Sequence, residues 1–332
     1  GQAFPYTPIA NPQRIIPDWQ FGNREQKLQH VVDEIRMNKI ADVVVLQSQN
    51  AMDVDLKLAS RVSGLDFILG GHTHDAIPEP IMVANPGGKT WVTNAGSHGK
   101  FVGVLDLEFR SGRLADFNYR LLPVFSNLIP PDAEMQHLVE SIRKPFLSRL
   151  QQPLAVADEI LYRRGNFYGT FDQLILDALR GVNNAELALS PGFRWGATLL
   201  PGQKITFEDV MNQTAITYPE TYTRTMSGLE LKTILEDVCD NLFNKDPYYQ
   251  QGGDMVRVGG IRYTCNPNAD FGYRISDLRK EQGDRIEAGK SYQVSGWATV
   301  GQASEGRPVW EVVSEYLKDR KTIAFDRYNQ PE

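Results

Sequence analysis

The chain has 332 residues, long enough for two domains with cores of their own. Its net charge of −6, with no Lys/Arg-rich run, argues against a nucleic-acid surface, and no apolar run approaches the roughly 20 residues that span a bilayer. Cys239 and Cys265 are the only cysteines and sit in no Cys-x-x-Cys spacing, which leaves a thiolate metal site unsupported and a single disulfide open.

Residues 1–17 hold Pro5, Pro8, Pro12 and Pro17, which forbid a regular helix, so this stretch reads as a connector. Gly1 follows no charged-then-apolar leader, so any targeting segment is expected to have been removed or never included. Residues 24–39 place Leu28, Val31, Val32, Ile35 and Ile40 at helical spacing, and the β-branched run 41–46 follows as a parallel strand expected to be covered on both faces. In α/β units of this kind, function gathers in the loops at the carboxyl ends of the strands. Here those are Gln47-Ser48-Gln49-Asn50-Ala51-Met52-Asp53 and, after a helix at 53–62 and the strand Asp66-Phe67-Ile68-Leu69, the loop Gly70-Gly71-His72-Thr73-His74-Asp75. Two of the five histidines lie in that second loop. Gly70 and Gly71 let the backbone turn sharply, and in an extended loop His72 and His74 would point to one side and reach one metal or a close pair. The plain alternative is a surface loop with two solvated imidazoles. A further strand ends at 91–96 near His98, which reads as a hydrogen-bonded loop residue, and runs 101–109 and 114–124 form a hairpin around Ser111-Gly112.

Pro130-Pro131-Asp132 breaks the chain, and 133–150 reads as a mostly polar amphipathic linker helix. The expected organisation is a partial domain at 1–130, the linker at 131–150 and a second α/β domain at 151–332. That second domain begins with a strand at 154–157 and a helix at 171–180. A strand at 186–189 then empties into Ser190-Pro191-Gly192-Phe193-Arg194-Trp195-Gly196. Arg194 there suits either an anion-binding loop or a tight turn with a solvated guanidinium. A short helix at 205–213 is followed by another whose start is marked by the capping-box spacing of Ser227 and Glu230, with Leu231, Ile234, Leu235, Val238 and Leu242 as its core face. Four glycines between Tyr248 and Gly260 frame Asp254 and Arg257, which fits a ligand-binding loop and a bulged strand equally. A strand at 292–298 and a helix at 308–320 complete the domain.

The order of these pieces resembles the 5′-nucleotidase family, and within it the SoxB thiosulfohydrolases of bacterial sulfur oxidation. The strings that carry the likeness are Gly1-Gln2-Ala3-Phe4-Pro5-Tyr6-Thr7-Pro8-Ile9-Ala10-Asn11-Pro12, Met52-Asp53-Val54-Asp55-Leu56-Lys57-Leu58-Ala59, Gly70 to Asp75, Leu189 to Gly196, and Gln250 to Gly260. The resemblance implies an α/β fold. It comprises the C-terminal portion of a metallophosphoesterase-like domain, a linker helix and a 5′-nucleotidase C-terminal-like substrate domain. It implies a hydrolase with two divalent ions, manganese by family, acting in the periplasm on a cysteine S-sulfonate carried by the SoxYZ sulfur-carrier complex. Two hard cations lower the pKa of a bound water and neutralise developing oxyanion charge. On the same carry-over His72 and His74 match metal ligands, and Arg194 and Arg257, with Asp254 beside them, match substrate-facing loops.

Two departures qualify that expectation. The family opens with an Asp-x-His strand and a Gly-Asn-His segment that supply further ligands and the catalytic histidine, and neither string occurs here. The family's catalytic histidine would therefore lie upstream of Gly1, and the chain reads as a fragment of a longer protein or a truncated relative. Where the family has a ligand His in a Ser-His-Asn-Gly turn, this chain has Ser48-Gln49-Asn50-Ala51, so Gln49 takes the ligand position with a neutral, weaker donor. The competing expectations are a catalytically inactive module that binds the carrier, and a phosphoester hydrolase using the rings of Tyr248, Tyr249 and Phe271 to stack a nucleotide base.

Overall fold

The structure, a computed structural model, describes residues 2–3, 24–193, 196–216, 218–250, 253–299, 304–329 and 331–332. The proline-rich connector beyond residue 3, Arg194 and Trp195 lie outside these residues. The chain divides into two compact units, Gly1–Asp132 with Asn244–Gly252, and Ala133–Phe243 with Gly253–Glu332.

The first unit is built on a five-stranded sheet. In chain order its elements are β1 (Gln2–Ala3), α1 (Glu25–Met37), β2 (Val45–Gln49), α2 (Met52–Arg61), β3 (Phe67–Gly70), β4 (Ile81–Asn85) and β5 (Gly88–Asn94). The strand order is β1-β2-β3-β5-β4, parallel throughout except for β4, which joins β5 as an antiparallel edge. Register sets the two faces. Leu46, Ile68 and Val92 stand side by side and bury under Val32 of α1 and Leu58 and Ala59 of α2. The opposite row is Val45, Phe67 and Trp91. Phe117, from the hairpin of β6 (Phe101–Arg110) and β7 (Arg113–Pro123), sits edge-on to Phe67 at 5.1 Å and to Trp91 at 4.9 Å. Ser111 and Gly112 turn that hairpin with φ of 53° and 69°, as a two-residue primed turn requires.

The run 41–46 is thus corrected in two respects. β2 begins only at Val45, because the Asp66 carboxylate accepts the Val44 N–H at 2.7 Å and pairs with Arg36, closing the strand's entry with a side chain. Nor is it covered on both faces: Val45 is 43 % exposed, so β-branched composition signalled strand but not double burial.

The second unit opens with α3 (Ala133–Arg143), continued by helical turns to Leu150, and none of its residues is buried. There follow β8 (Pro153–Ala157), α4 (Thr170–Val182), β9 (Leu187–Gly192), β10 (Lys204–Thr206), α5 (Phe207–Thr214), β11 (Thr221–Ser227) and α6 (Gly228–Phe243). The last pieces are β12 (Asp254–Gly259), β13 (Ile261–Cys265), β14 (Ile275–Lys280), β15 (Ser291–Trp297), α7 (Val309–Arg320) and β16 (Thr322–Ile323). The central sheet, β11-β15-β9-β12, separates two cores. One holds Phe171, Leu174 and Leu179 of α4 with Val309, Val312, Val313 and Leu317 of α7. The other holds Leu231, Leu235 and Cys239 of α6 with Tyr263 and Ile275 of the β13-β14 hairpin. The capping box at the start of α6 is formed, with Ser227 N–H donating to Glu230 Oε2 at 2.7 Å and Glu230 N–H to Ser227 Oγ at 3.2 Å. Among the described residues no helix is long and apolar enough to cross a membrane.

Candidate functional site

Gln49, His72 and His74 all belong to the first unit, at the carboxyl ends of β2 and β3. Gln49 is the last residue of β2, and its Nε2 lies 3.4 Å from His72 Nδ1. The loop from Gly70 to Asp75 is not extended. The His74 N–H donates to the Gly71 carbonyl at 3.1 Å, closing a turn, and His74 takes a left-handed φ of 61°. The expectation of an extended loop is therefore corrected to a turn, in which His72 lies beside Gln49 and His74 packs edge-on to His98 with ring centroids 5.9 Å apart. His98 also has positive φ, 57°, and a lone non-glycine residue in that region marks a backbone held by its surroundings. Desolvation, then the neighbouring His74 and Lys100, lowers the His98 pKa below the ordinary imidazole value.

What holds this turn is a buried polar layer beneath it, which the sequence reading missed. Asp55, on the inward face of α2, is 0 % exposed. Its Oδ1 accepts from Ser48 Oγ at 2.6 Å and from Asn50 Nδ2 at 3.1 Å, the two residues flanking Gln49. Asn94, at the end of β5, donates from Nδ2 to Thr73 Oγ1 at 3.0 Å and so fixes the turn between the two histidines. Asp55 Oδ2 and Asn94 Oδ1 are buried with no hydrogen-bond partner among the described residues, and each lies 2.9 Å from where a Cβ on Gly70 would stand. Gly70 is therefore needed for close approach: any side chain would push into two buried oxygens. The missed signal was Asp55 itself, an acid three and four residues before Leu58 and Ala59 on a helix face otherwise apolar.

As a donor set these residues suit a hard or borderline cation, with two imidazoles, an amide and unpaired buried oxygens close by. They do not complete a site for two ions. Among the described residues no three of His, Cys, Asp and Glu converge, and Gln49 contributes a neutral amide. Restoring an imidazole by Gln49→His is expected to raise Mn²⁺ affinity by about tenfold, read by isothermal titration, since imidazole binds a borderline metal more strongly than an amide does. Unchanged affinity would remove Gln49 from the ligand set.

Arg257 and Asp254 belong to the second unit. The glycine-rich segment is a bulged strand: β12 pairs with β9, and its register slips between Asp254 and Arg257. Arg257 is 2 % exposed, and its donors are engaged within the unit. It reaches Asp172 Oδ2 at 3.1 Å, the Asn166 and Gly165 carbonyls at 2.7 and 2.6 Å, and Asp254 Oδ2 at 3.2 Å. Asp172 also accepts from Arg163 Nε at 2.7 Å, so two arginines share one carboxylate inside the protein. The guanidinium of Arg257 is thus committed to internal acceptors. Arg194, the other candidate for substrate, lies outside the described residues.

Residues 159–313 match the family model described as 5′-nucleotidase, C-terminal domain. Among solved structures, the sulfate thiohydrolase SoxB of Thermus thermophilus is 35 % identical with a TM-score of 0.93, covering 100 % of this chain and 62 % of its own. A 5′-nucleotidase precursor from Thermus thermophilus shares the fold at a TM-score of 0.78 and 22 % identity, over 94 % of this chain and 68 % of its own. The trifunctional nucleotide phosphoesterase YfkN of Bacillus subtilis is 25 % identical over 310 residues, which is 89 % of this chain and 20 % of that protein. The chain thus spans 62 % of the SoxB chain and a fifth of the Bacillus protein. It carries a match to the 5′-nucleotidase C-terminal domain and is similar to SoxB along its whole length.

Proposed function

We propose that this chain works as part of a SoxB-type thiosulfohydrolase in the periplasm, releasing sulfate from a cysteine S-sulfonate on the SoxYZ carrier. The observation that carries the reading is the 35 % identity to SoxB through the whole chain. In the reaction, the oxygen of water ends on the sulfonate sulfur, the S–S bond breaks, and the carrier cysteine leaves as a thiol with one of water's protons. Two divalent ions, manganese by resemblance, supply Lewis-acid stabilisation of the anionic sulfonate when bound. This chain's own contribution would be Gln49, His72 and His74 as donors, set by the Asp55 and Asn94 layer beneath them. Arg194 is proposed to meet the sulfonate. Arg257 and Asp254 would act through the strand that positions their loop.

Two other readings have support of their own. Nucleotide hydrolysis is favoured by the Bacillus phosphoesterase, and an inactive carrier-binding role by the amide at position 49. The test uses the native protein purified in Mn²⁺, offered an S-sulfonated SoxYZ carrier and, separately, a nucleoside 5′-monophosphate. Sulfate released at least about tenfold faster than phosphate is the expected result, a ratio a dedicated site reaches with one or two kcal/mol of discrimination. Phosphate release alone would establish the nucleotidase, and carrier binding without sulfate would establish the inactive module.

A further inference from the structure

The two cysteines of the second unit have no part in the functional site described above, yet they stand together. Cys239 is on α6, fully buried, and Cys265 is the last residue of β13, partly exposed. Their sulfurs are 3.4 Å apart and both are thiols in this structure. The scaffold that brings them together is fixed on both sides. Cys265 is in register with Ile275 across the hairpin, and the Ile275 N–H donates at 2.8 Å to Glu236, which lies three residues before Cys239 on the same face of α6. The Cys265 N–H is held in turn by the Glu332 carbonyl at 2.9 Å. A sulfur pair already in van der Waals contact needs only side-chain rotation to reach bonding distance.

We propose that Cys239 and Cys265 are a disulfide-forming pair, oxidised by a protein or small-molecule disulfide. Cys265, the accessible partner, attacks the oxidant's S–S bond as thiolate, forming a mixed disulfide and releasing one oxidant thiol. The Cys239 sulfur then attacks Cys265, the mixed disulfide breaks, and the second oxidant thiol leaves. Two cysteine thiols are oxidised, one oxidant disulfide is reduced to two thiols, and the two cysteine protons end on those thiols. The hydrogen bond from Cys239 lowers the pKa of the Cys265 thiol, which suits it to strike first. The closed ring runs from 239 to 265 and so contains Asp246 and Tyr248. Those residues hold Lys57 of α2 and Glu25 of α1 through the Asp246 carboxylate and a 2.9 Å bond from the Tyr248 hydroxyl.

The experiment incubates the native protein with glutathione disulfide, alkylates it, and digests it with trypsin without reductant. The expected product is peptide 233–245 joined to peptide 263–274, at their summed mass less two hydrogens, separating on reduction. Reduction is expected to lower Tm by roughly 5–10 °C, an effect absent from the Cys239→Ser, Cys265→Ser double variant. Recovery of both peptides singly alkylated after oxidation and denaturation overturns the proposal. Should the double variant not fold, the peptide map of the unaltered protein decides alone.

Discussion

Replacing Asp172 with alanine is expected to destabilise the second unit by about 3–5 kcal/mol, the cost of leaving buried charge uncompensated. Asp172 is the carboxylate that Arg163 and Arg257 share, Arg257 also reaching Asp254, and the side chains of Asp172 and both arginines are 0–1 % exposed. Burial lowers the pKa of the Arg163 guanidinium, with Asp172 as the first opposing influence, so removing the carboxylate takes away the largest counterweight to desolvation and leaves Asp254 as the smaller one. Arg257 would keep Asp254 and the Gly165 and Asn166 carbonyls, while Arg163 would lose the carboxylate its Nε donates to and keep the Gln213 and Pro191 carbonyls, at 2.5 and 2.9 Å. Carbonyl dipoles satisfy the donors without neutralising the charge. Asp172→Asn should cost less, because one acceptor remains. A triple change of Arg163, Asp172 and Arg257 to apolar residues of similar size should cost less than Asp172→Ala, because no ion is then left stranded. Urea unfolding followed by tryptophan fluorescence measures all three. A loss below about 1 kcal/mol for Asp172→Ala would mean that this carboxylate does not hold the two cations in place.

This network also marks where reading a sequence stops. The α/β alternation, the hairpin at Ser111-Gly112, the capping box at Ser227 and the histidine turn are local signals: each depends on residues a few positions apart, and each was found from spacing. Arg257 and Asp172 are 85 residues apart, and nothing in either neighbourhood says that one neutralises the other. The glycines around Arg257 fit a binding loop and a bulged strand equally, and its substrate-facing role is implied by the resemblance alone. In the structure the strand slips register between Asp254 and Arg257, and the arginine lies buried. Strand β4 was missed for a related reason. It is an edge strand whose residues Ile81 and Met82 are largely exposed, so its alternation is weak. The loop at 70–75 is legible in the sequence but its shape is not, because the tether from Asn94 to Thr73 comes from a strand that ends twenty-one residues further on.

The second large effect concerns pH and begins at Asp55. Desolvation pushes its carboxyl up to about 6, although Ser48 and Asn50 donate to it and pull the other way. An unfolded aspartate titrates near 4, so between pH 4 and 6 the unfolded chain loses a proton that the folded chain keeps. Stability from this group is then fully present below pH 4 and falls as pH rises through 6, by about 3 kcal/mol in all. Asp177, which accepts from Gln173 at 2.9 Å, is also pushed up to about 6 by burial and slopes the same way. The clean measurement therefore compares Asp177→Asn with the Asp177→Asn, Asp55→Asn pair by chemical denaturation from pH 4 to pH 7. The pair should have lost most of the remaining fall in stability, since an amide at 55 keeps an oxygen for Ser48 and Asn50 and carries no proton to lose. It also places an NH₂ group where Asp55 Oδ2 has no partner among the described residues, on the Gly70 side that Asn94 Oδ1, likewise unpartnered among them, also faces. A new bond there would tighten the turn that carries His72 and His74, making the pair at least as stable at pH 7 as Asp177→Asn alone. An unchanged slope would show that Asp55 ionises freely in the folded protein. The layer under the histidine turn would then be solvated and unable to hold the proposed ligands in a fixed geometry.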